Sequence, residues 1–131
     1  MIFMDAGAIY ALVVTSDPQH AAVKQWYDAN QDSLVTSDYC VDELLTLLIA
    51  RRRPALAVAT GWKLFNEELC RLHFLSPDQV RRAWIVFQAH YQQGWSFTGC
   101  TSKIVIDDFR IRTAVALDDH FRQFGDLTVV P

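Results

Sequence analysis

The chain has no run of about 18 uninterrupted apolar residues, the length that a membrane-spanning helix needs. Its apolar start, "MIFMDAGAIYALVV", is interrupted at Asp5 and lacks a basic n-region, which excludes a signal-peptide layout; a soluble cytoplasmic protein with no membrane partner is expected. Cysteine is scarce. Cys40, Cys70 and Cys100 are odd in number and far apart, which excludes both a disulfide framework and a CxxC metal knuckle and leaves three buried thiols. The four histidines show no ligand spacing such as HxxxH, so no chemistry is assigned to them. Low-complexity tracts and internal repeats are also absent. A net charge of −3 argues against a generic polyanion binder, since such domains are strongly basic.

What is present fits a single domain over residues 1–131, long enough to bury about two-thirds of its unfolded-chain surface. Hydrophobic residues make up 51% of it and charged residues 21%, a globular balance. Nine of the twelve cationic residues are arginines, the side chain suited to bidentate phosphate contacts, and they cluster as "RRR" at 51 to 53 and "RR" at 81 and 82.

Short apolar runs alternate with helical patterns. "MIFMD" reads as a buried strand that delivers Asp5 at its carboxyl end, with a helix following from about Gly7. Asp17 as N-cap and Pro18 at the first helical position predict a helix ending near Asn30. "SLVTS" at 33 to 37 is a second strand, leading into a helix with Leu44, Leu45, Leu47 and Leu48 on a wide apolar face, ended by Pro54. A helix over about 55 to 69 and a strand at 72 to 76 follow. Ser76 and Gln79 form a capping box with Pro77 at the first position, predicting a helix from 77 to about 92. After a loop "GWSFTG" come a helix near 100 to 109, a strand ending at Asp118, the turn "HFRQFG" and a last strand "LTVV". This alternation predicts a three-layer α/β/α sandwich around a mainly parallel sheet of about five strands. Ligands of such sheets sit outside the carboxyl ends of the strands, where Asp5 and Asp118 are both expected. Glu43, near the start of the helix after "SLVTS", belongs to the same edge, with Asp42 as its nearest competitor.

At these residues the chain resembles the PIN-domain ribonucleases, in particular the VapC-type toxins of prokaryotic toxin–antitoxin pairs. The resemblance spans nearly the whole chain, through "MIFMDAGAIYAL", "VTSDYCVDELLTLL", "WSFTGCTSKIV" and "IRTAVALDDHFRQFGDLTVVP". It implies a metal-dependent endoribonuclease using Mg²⁺ or Mn²⁺, with Asp5 as a direct ligand and Glu43 and Asp118 as direct or water-mediated ligands. The family's fourth acid falls on position 99, where this chain has Gly99, surrounded by Thr98, Thr101 and Ser102; Asp119 is a reserve acid. Gly99 admits three readings: a natural departure in a silent relative, a detoxifying substitution, or a change compensated by Asp107, Asp108 or Asp119. The undamaged remainder of the motif favours the second. Candidate RNA contacts are Arg51, Arg52, Arg53, Lys103, Arg110 and Arg112, with Trp95 and Phe97 as bases' stacking partners. The resemblance further implies an RNA substrate of the tRNA or rRNA class, a cognate antitoxin and a homodimer. A catalytically silent module that binds antitoxin or RNA is the alternative; a phosphoacceptor receiver domain fits poorly, since it needs paired acids near the first strand.

Overall fold

Ile2, Phe3 and Met4 are all buried in the computed structural model, which describes residues 1–131. They form β1 (Ile2–Met4), the middle of a sheet completed by β2 (Leu34–Ser37), β3 (Arg71–His73), β4 (Thr113–Val115) and β5 (Thr128–Val130). Every pairing is parallel and the strand order is β3-β2-β1-β4-β5. Parallel neighbours need crossovers, and here these are helical. α1 (Ala6–Val13) and α2 (His20–Ala29) join β1 to β2, α3 (Asp38–Ala50) and α4 (Pro54–Phe65) join β2 to β3, and α5 (Pro77–His90) and α6 (Phe97–Asp108) join β3 to β4. Right-handed crossovers that step outward from β1 and then return past it put α1 to α4 on one face and α5 and α6 on the other. The expected three-layer sandwich with five parallel strands is present.

The core runs between the layers and includes all three cysteines, each buried and free. Phe3 stacks on Phe121 at 6.4 Å, and Phe121, Phe124 and Trp95 continue the aromatic contact. Phe121 belongs to a short 3-10 helix, Asp119–Gln123, so this packing fixes the segment that follows β4 against β1. No helix is long and apolar enough to cross a membrane.

Several boundaries differ from the sequence expectation. α2 begins at His20, not behind Asp17 and Pro18, because Asp17 first closes a separate turn in which its Oδ1 accepts from Gln19 N–H at 2.8 Å. α4 stops at Phe65 and not near 69: Glu67 takes φ 55°, and the N–H groups of Glu67 and Glu68 fold back onto Leu64 O and Lys63 O. The segment read as loop before position 100 is the first turn of α6, capped by Ser96, whose Oγ accepts from Gly99 N–H at 2.9 Å.

The capping box of α5 is present as predicted and extends further than the pattern alone implies. Gln79 N–H donates to Ser76 Oγ at 3.1 Å and Ser76 N–H donates to Gln79 Oε1 at 3.0 Å. The Gln79 amide also meets His73 Nε2 at 2.8 Å and donates to Asp108 Oδ2 at 3.0 Å, joining β3, α5 and α6. Arg82 holds Asp108 from its other side and, with Gln79, keeps that carboxyl down at about 2. Ser76→Ala should therefore lower unfolding free energy by about 1 kcal/mol through one lost cap, and Gln79→Ala by roughly twice that, as read by urea denaturation with an unchanged m-value.

Candidate active site at the carboxyl edge of the sheet

β1 and β4 are neighbours whose connections leave to opposite faces, which opens a crevice outside their carboxyl ends. Asp5 stands at the foot of it. Its backbone N–H donates to Val115 O at 3.0 Å, closing the end of β1 onto β4, and its carbonyl accepts from Ile9 N–H as α1 begins. The residue is only 7% exposed. Burial first, then the charge of Glu43, with a smaller contribution from Asp118, pushes its carboxyl up to about 7; the N–H groups of Ala6 and Gly7 offset part of this.

Glu43 comes from the second turn of α3. Its carboxyl is raised by partial burial, then by Asp118 and Asp42. Asp42 instead lines a separate shallow pocket with Asp38 and Tyr39, as adjacent helix positions must diverge. The fourth strand ends at Val115 and not at Asp118, which instead caps the 3-10 turn that follows: its Oδ1 accepts from His120 N–H at 2.9 Å while lying 3.3 Å from His120 Nδ1. Asp5, Glu43 and Asp118 thus come from three elements, close enough that Glu43 and Asp118 both act on Asp5, and neither Lys nor Arg pairs with any of them.

Cys40 went unassigned in the sequence yet touches the central acid. It lies one turn before Glu43 on α3, a helical spacing that would have found it. Its Sγ donates to Asp5 Oδ1 at 3.8 Å and lies 3.5 Å from Ser102 Oγ; burial and the charge of Asp5 push the thiol up to about 12. Ser102 and Thr101 are fully buried, and both hydroxyls donate to Thr98 O, at 3.1 and 2.6 Å. Gly99 stands one turn before Ser102, so it shares the face of α6 that reaches Cys40. A Cβ at position 99 would meet only Ser96 Oγ, at 3.2 Å, a contact that a hydroxyl can relieve by a small rotation.

The acids proposed as compensation do not fill that place. Asp107 pairs with Lys103 at 2.8 Å and Asp108 with Arg82 at 2.6 Å, both at the opposite end of α6. The side chain of Asp119 is 95% exposed and faces Arg122 at 3.9 Å. The cations are displaced too. Arg51, Arg52 and Arg53 end α3, and Arg110 and Arg112 stand between α6 and β4, so both groups lie a helix length from the acidic crevice; Lys103, one turn beyond Gly99, is nearer but engaged by Asp107. Nor are Trp95 and Phe97 stacking platforms. Trp95 is buried against His90 and donates to Gln123 Oε1 at 2.8 Å, and Phe97 packs between Tyr39 and Phe87.

No three of the His, Cys, Asp and Glu side chains converge closely enough to enclose an ion on their own. The donor set is nonetheless all oxygen, with one buried acid and two more acids coupled to it, and this fits a hard divalent ion that keeps part of its water shell. Without an ion, Asp5 binds its proton more tightly folded than unfolded, so the stability it contributes is present below pH 4 and is lost as pH rises through about 7. Asp5→Asn should flatten that slope and raise the melting temperature of metal-free protein at pH 8 by about 5 °C, measured by thermal melts across pH in EDTA.

Comparison with known proteins agrees with this architecture. A PIN domain is matched over residues 2–96, a stretch that includes Asp5 and Glu43. The 23S rRNA-specific endonuclease VapC20 of Mycobacterium tuberculosis is 29% identical over 131 residues, covering 100% of this chain and 99% of that protein. Ribonuclease VapC26 of the same species is 26% identical over 143 residues, covering 99% and 100%. The crystal structure of VapC20, described as a Sarcin-Ricin loop cleaving toxin, superposes with a TM-score of 0.92 at 27% identity over the full length of both chains. A toxin–antitoxin complex from Klebsiella pneumoniae shares the fold, with a TM-score of 0.66 at 12% identity, covering 100% of this chain and 97% of the other. With the family match spanning most of the sequence and the acids standing at the carboxyl edge of the same sheet, the chain belongs to the PIN domain family.

Proposed function

We propose that this chain is a toxin-type, metal-dependent endoribonuclease whose activity is impaired at position 99. The observation that carries it is the buried carboxyl of Asp5, held up at about 7 by burial and by Glu43 and Asp118 with no cation of the protein to relieve it. Asp5, Glu43 and Asp118 would hold the ion, Mg²⁺ or Mn²⁺. When bound, such an ion acidifies its water and offsets charge developing at phosphorus. Binding it converts the repulsion among the three acids into attraction and keeps Asp5 ionised at neutral pH. Cys40, neutral at that pH, donates to Asp5 and leaves it oriented without adding charge. Gly99 brings no carboxylate to the face of α6 that reaches this group, so ion and substrate are held less firmly.

Identity over the full length to 23S rRNA-specific and other VapC ribonucleases supports an RNA substrate, with rRNA the favoured class. The fold shared with a toxin–antitoxin complex supports a cognate antitoxin as protein partner; a homodimer and a cytoplasmic site of action complete this reading. A second reading, a silent module that binds antitoxin or RNA, is favoured by Gly99 alone.

Incubating total tRNA and rRNA with Mg²⁺ or Mn²⁺ separates the two. Gly99→Asp should cut RNA about a hundredfold faster than the unaltered chain, the scale of restoring one misplaced catalytic group, and adding Asp5→Ala should abolish the gain. If Gly99→Asp folds, binds Mn²⁺ by calorimetry and still cuts nothing, the module reading replaces the enzyme.

A further inference from the structure

Arg51, Arg52 and Arg53 end α3 in a geometry that glycine fits best. The N–H of Arg53 bonds to Leu48 O at 2.9 Å and that of Arg52 to Ile49 O at 3.0 Å, with Arg52 at φ 61° in the left-handed region. Glycine is the usual residue there because any Cβ is strained. Glu67 and Arg110 end α4 and α6 in the same conformation. Glu67 repays the strain, since its Oε1 accepts from Leu72 N–H at 2.9 Å. The side chains of Arg52 and Arg110 have no such internal use, and only Arg52 has further arginines on both sides.

Its neighbours are positioned by neutral groups. Arg51 Nη1 donates to Tyr10 OH at 3.5 Å, with its guanidinium 5.5 Å from the centre of that ring, and Arg53 Nη2 donates to Ser16 Oγ at 2.9 Å. None of the six ion pairs in the chain involves these three arginines; Lys63, Arg71, Arg81, Arg110 and Arg112 are unpaired too, but only Arg51 to Arg53 stand as three in a row. A protein of net charge −3 therefore carries three uncompensated guanidinium groups side by side, two of them held in place with donors to spare.

We propose that Arg51, Arg52 and Arg53 form a phosphate-binding patch that grips the RNA backbone outside the acidic crevice, about 12 Å along α3 from Glu43. This rests on the ribonuclease reading for the identity of the polyanion. Such contacts position a strand without reading its bases, so the patch acts on affinity and not on the bond-breaking step. The blander role, stabilising the last turn of α3 through its dipole, predicts the opposite effect of removing Arg52 on stability.

The test is a fluorescence-anisotropy titration of a labelled rRNA stem-loop in EDTA between about 50 and 200 mM salt. It compares the full chain with Arg52→Gly and with the triple variant Arg51→Gln, Arg52→Gly, Arg53→Gln, each checked by thermal melting. Arg52→Gly should melt at the same temperature or higher and bind RNA about threefold to tenfold more weakly. The triple variant should lose about thirtyfold or more and flatten the log-affinity against log-salt slope by about 2, as expected for three single-strand contacts. A folded triple variant with unchanged affinity and slope overturns the patch, as does a wild-type chain with no RNA affinity. Displacement of the RNA by polyglutamate at equal charge concentration also overturns it, assigning the surface to an acidic protein segment. In the Gly99→Asp background the two readings part: cleavage with unchanged KM in the triple variant sinks the patch and leaves the ribonuclease, while arginine-dependent binding with no cleavage sinks the ribonuclease and leaves the patch.

Discussion

A carboxyl group buried at the end of the central strand is the constraint around which the rest of this fold is arranged. Asp5 takes its place because β1 must be apolar along its whole length to lie between β2 and β4, and the first polar residue after it has nowhere to go but the crevice where the connections part. The hydroxyls around Cys40, which donates to that carboxyl, serve structural duties of their own. Thr36 Oγ1 donates to Met4 O at 2.8 Å, fixing β2 to the last residue of β1, and Ser37 caps α3 by accepting from Cys40 N–H. Cys40 and Ser102 then join α3 to α6 beneath the acid. The site is consequently rigid where its central acid stands and open where Glu43 and Asp118 enter.

Much of this was readable from residues. The strand ending at Asp5 is written in four apolar letters and one acid, and the capping box at Ser76 and Gln79 is written in two side chains and a proline. Glu43 was separable from Asp42 only through the family likeness, since adjacent acids on a helix look equivalent until its rotation about the sheet is known. The first turn of α6 was misread because glycine at its third position weakens the helical pattern and leaves the Ser96 cap without the acidic or amide partner that usually reveals it. The start of α2 was misread for the converse reason: Asp17 and Pro18 form a genuine turn that imitates a helix start.

The arginines illustrate a different limit. Their chemistry was legible and their address was not, because a cluster in a sequence has no position relative to a site until the direction of its helix is considered. In a parallel α/β sheet a helix that directly follows a strand, as α3 follows β2, departs from the carboxyl edge, so the residues at its end are carried away from the site that its beginning approaches. That polarity separates the acids that open α3 from the cations that close it, and confines opposite charges to opposite ends of one element.

The sulfur beneath Asp5 bears on how the buried acid is kept from water. A thiol coordinates soft metals only as thiolate, and Cys40 is sealed in with a neighbouring carboxylate that opposes its ionisation. In the metal-free site the sulfur therefore keeps its proton at neutral pH and faces Asp5 as a weak, neutral donor. The buried thiol is in effect a dry backing for the carboxyl: it fills the space behind Asp5, donates to it, and keeps water from that side.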